Sequence, residues 1–200
     1  MSNAPWAVVF GGPSPEHEIS ILTGLQAERV LTGAGDPVHP IYWAPSGEWF
    51  LVPNGTEASD YLEGAPKGSK PLEVRLSPDP GFAAKKSFGS GVLDIDAALL
   101  CFHGGTGEGG GAAAIFDAMG VPATGSTLFA GAVGMDKLAM KAAFAAVGLP
   151  QVPYAAVDGA EVRCGGAALE GLVQRLESQL GYPCFIKPAN LGSSVGISKA

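Results

Sequence analysis

Residues 6–10, WAVVF, are apolar at every position, and the loop GGPSP separates them from a helical pattern. A short apolar run without polar alternation reads as a strand buried on both faces, the kind found in parallel sheets covered by helices. A helix is expected over residues 15–32 with Ile19, Leu22 and Val30 on one face, then a second strand over residues 38–43. Pro45, Ser46 and Gly47 supply turn chemistry before EWFLV, which extends this strand into a hairpin ending near residue 52. Residues 53–91 are dense in Pro, Gly, Ser and Asp, with only LEVRL reading as a strand, and are expected to form a long irregular excursion. Regular structure resumes with a strand over 97–102, a helix over 112–119 and a short strand over 121–124. The alternation predicts a Rossmann-like α/β domain over residues 5–125, built on a mostly parallel sheet.

Past Gly125 the pattern changes. A helix over 135–147 stops at Gly148 with Pro150 behind it, and a second carries Leu169, Leu172, Val173, Leu176 and Leu180 at helical spacing before Gly181. YPCFIKP then reads as a strand, ANLGSS as a loop and VGISKA as the start of a strand for which no partner is expected. Residues 126–200 therefore read as part of a second, α+β domain.

Composition removes several classes of function. A net charge of −7 with twelve Lys and Arg among 200 residues gives no electrostatic footprint for nucleic acid or an anionic membrane. No apolar run approaches the roughly 18 residues of a membrane span. Cys101, Cys164 and Cys184 lie far apart without metal-ligand spacing, which fits reduced thiols and a cytoplasmic setting.

Four stretches carry chemistry, each with a plainer reading beside it. Ser14, Pro15 and Glu16 make a sound helix start on their own, with Ser as N-cap, Pro at the first helical position and an acid facing the helix dipole. Yet loops at the carboxyl ends of parallel strands are where open α/β sheets bind ligands. Glu16 and Glu18 would repel a phosphate there, so an ammonium group is the better guest. In HGGTGEGGG, Gly105, Gly107 and Gly110 satisfy the dinucleotide glycine pattern, but about 20 residues further on stand Phe129, Ala130 and Gly131 and no ribose-binding acid. His103 is either an ordinary strand-end histidine or part of a loop that lets a small substrate approach closely. Lys137 and Lys141 share a helix face, as solvated lysines commonly do. Lys187 ends an apolar strand, is fixed by Pro188 and precedes Gly192, Ser193, Ser194 and Gly196, an arrangement suited to phosphate oxygens.

Together VFGGPSPEHEIS, FHGGTGEGG, GMDKLAMKAAFAAVGLP and FIKPANLGSSVGIS resemble, in order, the conserved stretches of the D-alanine:D-alanine ligases of the ATP-grasp superfamily. The glycine loop departs from the family at Gly109, where Asp is usual, while Glu108 is retained. The resemblance implies a pre-ATP-grasp domain followed by an incomplete ATP-grasp lid domain. It implies an enzyme that phosphorylates one D-alanine with ATP and lets the amine of a second attack the acyl phosphate, giving the dipeptide of peptidoglycan. Glu16 would hold the first substrate's ammonium and His103 would lie near its carboxylate. Lys137 and Lys187 would bind ATP phosphates, Ser193 would orient Glu16, and Ser194 would contact the nucleotide. The family's Mg2+ ligands and its carboxy-terminal catalytic domain would lie beyond residue 200, so these residues alone would not make dipeptide; the full-length enzyme would be a homodimer. The residues also admit a noncatalytic ATP-binding module, a ligase taking D-lactate or D-serine as second substrate, and, ranked last, a dinucleotide oxidoreductase.

Overall fold

The computed structural model describes residues 4–84 and 91–200. In chain order they form β1 (Trp6–Gly11), α1 (His17–Ala34), β2 (Val38–Trp43), β3 (Trp49–Leu51), a 3-10 turn (Ala58–Tyr61), β4 (Lys70–Arg75), β5 (Gly81–Ala84) and β6 (Ala97–Leu100). A π-helical turn (Gly107–Gly111) leads into α2 (Ala112–Ala118), followed by α3 (Leu128–Met135), α4 (Lys137–Ala146), α5 (Gly159–Arg163), α6 (Gly166–Leu180), β7 (Phe185–Ile186) and β8 (Ser198–Lys199). Two compact units result, Met1–Ala132 and Val133–Ala200.

The first unit is built on a six-stranded sheet in the order β5-β4-β3-β2-β1-β6. Its parallel part is β2-β1-β6, with Val9 opposite both Ile41 and Leu100. Ala7 and Val9 enter one core cluster with Ile41, Phe102 and Phe116, while Val8 and Phe10 enter another with Ile21, Leu25 and Tyr42. α2 thus covers one face of β1 and α1 the other, which is why WAVVF shows no polar alternation. The hairpin expected after residue 43 is present as β2-β3, closed by the stacked pair Trp43 and Trp49 at a centroid distance of 4.5 Å.

Four expectations need correction. Residues 53–84 are not an irregular excursion: β4 and β5 extend the sheet antiparallel to β3, and Tyr61, Leu72 and Phe82 are buried. Residues 85–90, the rest of that stretch apart from Gly91, lie outside the described residues. The α1 stripe is also rotated. Ile19, Leu22 and Val30 are 51%, 52% and 66% exposed, and the buried face is His17, Ser20, Ile21, Gly24, Leu25 and Glu28. Apolar count misleads here because Ser20 and Glu28 are buried with main-chain partners, and because Gly24 lets the helix settle on Phe10. A Cβ at Gly24 would lie 2.4 Å from that ring. The strand expected over 121–124 reduces to the bridge between Ala98 and Ala123. β8 does have a partner: Ser198 and Lys199 pair antiparallel with Ile186 and Phe185 of β7.

In the second unit α4 ends at Ala146, and Gly148 follows with φ +71° as its stop. Its start is set by Asp136, whose carboxylate accepts from the amides of Leu138 and Ala139 at 2.9 Å each.

Candidate functional site

β1 and β6 are parallel neighbours, so the loops at their carboxyl ends emerge side by side. The first loop runs from Gly11 to Glu16 and the second from His103 to Gly107. Gly11 has φ +93°, and a Cβ there would lie 2.4 Å from the Trp43 carbonyl oxygen, so the chain turns off β1 where only glycine fits. Behind the turn, the Gly11 amide donates to Ser20 Oγ at 2.7 Å, and Ser20 Oγ donates to the Cys101 carbonyl at 2.8 Å. One fully buried hydroxyl therefore ties α1 to the ends of both strands. His17, also buried, faces the Gly12 carbonyl with Nδ1 at 2.7 Å and the Tyr42 hydroxyl with Nε2 at 3.0 Å. Burial raises the Tyr42 phenol above its ordinary value, as does the nearby Glu18 carboxylate to a smaller extent.

Ser14 joins the two loops. Its hydroxyl donates to the His103 carbonyl at 2.7 Å and accepts from the Glu16 amide at 3.1 Å. The expected helix start is corrected accordingly. Pro15 is not the first helical residue; α1 begins at His17 with Glu16 in the N-cap position, and the Glu16 side chain makes no capping hydrogen bond. The Glu16 carboxylate instead packs against the second loop. A Cβ at Gly104, whose φ is +65°, would lie 2.5 Å from Glu16 Oε2 and 2.7 Å from Ser14 Oγ. Glu108 fixes that second loop by accepting from the Gly104 amide at 2.6 Å. His103 presents Nε2 to Thr23 Oγ1 at 2.9 Å.

The structure thus brings Glu16 and His103 into one constellation in the first unit, with half-buried surroundings and backbone approaching closely. A carboxylate beside a histidine at such a place can accept from an ammonium group while the imidazole faces an anion.

Lys137, Lys187, Ser193 and Ser194 belong to the second unit. The Lys137 ammonium donates to the Leu191 carbonyl, and its amide donates to the Ala189 carbonyl at 3.0 Å, so α4 holds the loop that follows Lys187. Asn190 Nδ2 adds a bond of 2.9 Å to Asp136. That carboxyl is held below its ordinary value first by the Ala139 amide and next by Asn190. Ser193 and Ser194 have φ values of +46° and +62°, an uncommon pair of left-handed residues of the kind that marks functional loops. A cleft of about 390 Å3 opens nearby, with Leu138, Tyr154, Val157 and Ile186 as apolar walls and Lys137 and Lys187 on its lining. Lys141, on the same helix face as Lys137, is used locally: its ammonium lies 4.5 Å from the centre of the Tyr154 ring. Apolar walls with cations suit a flat base carrying phosphates. Among the described residues no three His, Cys, Asp or Glu side chains cluster for a metal ion.

Sequence reading missed Ser20, the cross-link made by His17, and the Asp136–Asn190 pair. The first two had a signal: His17, Ser20 and Gly24 recur at spacings of three and four, one face of a helix. The third pair are 54 residues apart, and nothing local announces them.

The family model for the D-ala D-ala ligase N-terminus matches residues 6–126, and that for the D-ala D-ala ligase C-terminus matches residues 143–200. A D-alanine--D-alanine ligase from Prochlorococcus marinus (strain MIT 9313) is 44% identical over 197 residues, covering 96% of this chain and 54% of the relative. The crystal structure of VanG D-Ala:D-Ser ligase from Enterococcus faecalis superposes with a TM-score of 0.75 at 28% identity, over 99% of this chain and 55% of that one. The D-alanine-D-alanine ligase of Coxiella burnetii does so with a TM-score of 0.78 at 25% identity, over 98% and 56%. The chain spans about half the length of the curated relatives it matches. With the amino-terminal family model covering most of the first unit and the paired loops lying inside it, the chain belongs to the D-ala D-ala ligase family.

Proposed function

We propose that this chain is the substrate- and nucleotide-binding portion of an ATP-dependent ligase that joins two D-alanines through an acyl phosphate to make D-alanyl-D-alanine for peptidoglycan. The observation that carries the reading is the Ser14 clasp, which sets Glu16 against the Gly104 turn beside His103. Glu16 receives the ammonium of the first D-alanine, and His103 lies by its carboxylate. ATP supplies the phosphoryl group. Lys137 and Lys187 neutralise its phosphates, and Ser194 contacts the nucleotide. Phosphoryl transfer needs positioning and charge neutralisation more than covalent help, and these residue types supply both. The full-length enzyme works as a cytoplasmic homodimer with Mg2+. Because the similar Enterococcus faecalis structure is a D-Ala:D-Ser ligase, D-serine is the second reading for the acceptor.

The test is binding to the chain itself, followed by amide NMR. D-alanine should shift the resonances of Glu16 and Gly104 while L-alanine leaves them in place, and ATP should shift those of residues 187–196. Lys187→Ala should weaken ATP binding about ten- to a hundredfold without lowering the melting temperature, since a charge-assisted contact is worth about 1.5–3 kcal/mol. Loops that respond to neither amino acid would refute the substrate site. ATP binding alone would favour a noncatalytic nucleotide module, and unchanged affinity in Lys187→Ala would remove that lysine from the site.

A further inference from the structure

Thr23 lies on α1, two turns from Glu16, and no contact with substrate is assigned to it. Its hydroxyl oxygen is 3.0 Å from the Ile19 carbonyl and 2.9 Å from His103 Nε2. A hydroxyl has one proton, and a carbonyl oxygen can only accept. The Thr23 proton therefore goes to Ile19, the back-bond that threonine commonly makes to the carbonyl four residues earlier in a helix. Toward His103 the same oxygen presents a lone pair, so the hydrogen between them belongs to Nε2.

From this geometry we infer that Thr23 is a positioning residue for His103: it fixes the imidazole in the tautomer with hydrogen on Nε2 and leaves Nδ1 as the lone-pair nitrogen. The inference rests on the reading of His103 as the residue beside the substrate carboxylate. His103 is then held twice by one segment, through its ring by Thr23 and through its carbonyl by Ser14 Oγ at 2.7 Å. That segment also carries Glu16, so α1 sets the spacing between the two groups that meet the two ends of an amino acid. His17 provides an internal contrast. Its Nδ1 faces the Gly12 carbonyl at 2.7 Å and therefore carries the hydrogen, while the Tyr42 hydroxyl stands at Nε2. Two histidines whose segments meet at one loop are thus fixed in opposite tautomers.

The experiment is long-range proton–nitrogen correlation NMR on the chain labelled in its three histidines. His103 should show a slowly exchanging hydrogen on Nε2, and His17 one on Nδ1. Thr23→Val should remove the exchange protection at His103 Nε2 and weaken D-alanine binding about two- to tenfold, as for one hydrogen bond. Thr23→Ser should restore both. Glu16→Gln should weaken binding and leave the His103 signals alone, separating the tautomer from the ammonium contact. A His103 with hydrogen on Nδ1, or a folded Thr23→Val protein with unchanged exchange and affinity, overturns the inference. If Thr23→Val fails to fold, the wild-type and Thr23→Ser spectra decide the tautomer. If wild-type chain binds no D-alanine, the substrate reading fails while the nitrogen assignments still judge Thr23.

Discussion

The two loops of the first unit and the serine loop of the second solve the same problem, fixing irregular backbone, by different means. The first pair is held from behind. Ser20 and His17 are buried, and their hydrogen bonds reach Gly11, Gly12 and Cys101 through a low-dielectric interior where an unmade bond is costly. The serine loop is held from the surface by Lys137 and by Asn190, both in solvent-facing contacts. Leu172 is the one buried apolar residue of the second unit among the described residues, against a core of aromatic and aliphatic side chains in the first. The contrast matches the guests proposed for each. A small zwitterion demands two groups at a fixed spacing, whereas phosphate oxygens accept point charges over a wider range of positions.

The comparison breaks most visibly at Gly11. Gly11→Ala places a Cβ 2.4 Å from the Trp43 carbonyl in a left-handed conformation, and should destabilise the first unit by about 2–5 kcal/mol. Denaturant titration followed by tryptophan fluorescence checks this, since Trp6, Trp43 and Trp49 all lie in that unit. Ser20→Ala comes next. It leaves the Gly11 amide and the Cys101 carbonyl without their shared hydroxyl, for about 1–3 kcal/mol in the same assay, with D-alanine binding weakened because the turn is released. The smallest effect belongs to the second unit. Asp136 is held below its ordinary value of 3.8, so its contribution is full above that pH and is lost as pH falls through the lower folded value. Acid titration by NMR should loosen residues 189–192 in that window, and Asn190→Ala should move the Asp136 midpoint upward.

Much of this was legible in the amino-acid sequence, and the misses have physical causes. WAVVF announces β1 because a strand covered on both faces carries no polar positions. PSG and EWFLV announce the β2-β3 hairpin because turn chemistry is local. FHGG and IKPANLGSS announce their loops because a strand end followed by glycine or serine has few other uses. The core face of α1 was not legible, since its buried members include His17, Ser20, Gly24 and Glu28, each accepted there for a partner elsewhere in the fold. Ser20 is paid for by two main-chain groups, and Glu28 by the Gly55 amide at 2.8 Å. β4 and β5 were hidden for a related reason. KPLEVR and GFAA are short, sit among turn-forming residues, and gain their stability from neighbours in the sheet rather than from their own alternation. At the site, the proposed ammonium and phosphate guests rest on residue types, but the Ser14 clasp joins positions 89 residues apart, and only the fold reveals it.

The most direct test of the account compares Glu16→Gln with Glu18→Gln. Both residues lie at the start of α1, and Glu18 is exposed in its first turn. If both served only the helix dipole, each change would cost about 0.3–1 kcal/mol of stability and leave ligand binding alone. The account predicts asymmetry in a D-alanine titration: Glu16→Gln weakens binding about tenfold or more with little change in melting, as for the loss of a charged hydrogen-bond partner, and Glu18→Gln binds as the wild type does. Equal and small effects from the two substitutions would contradict it, and would mean that the loop after β1 does no more than start a helix.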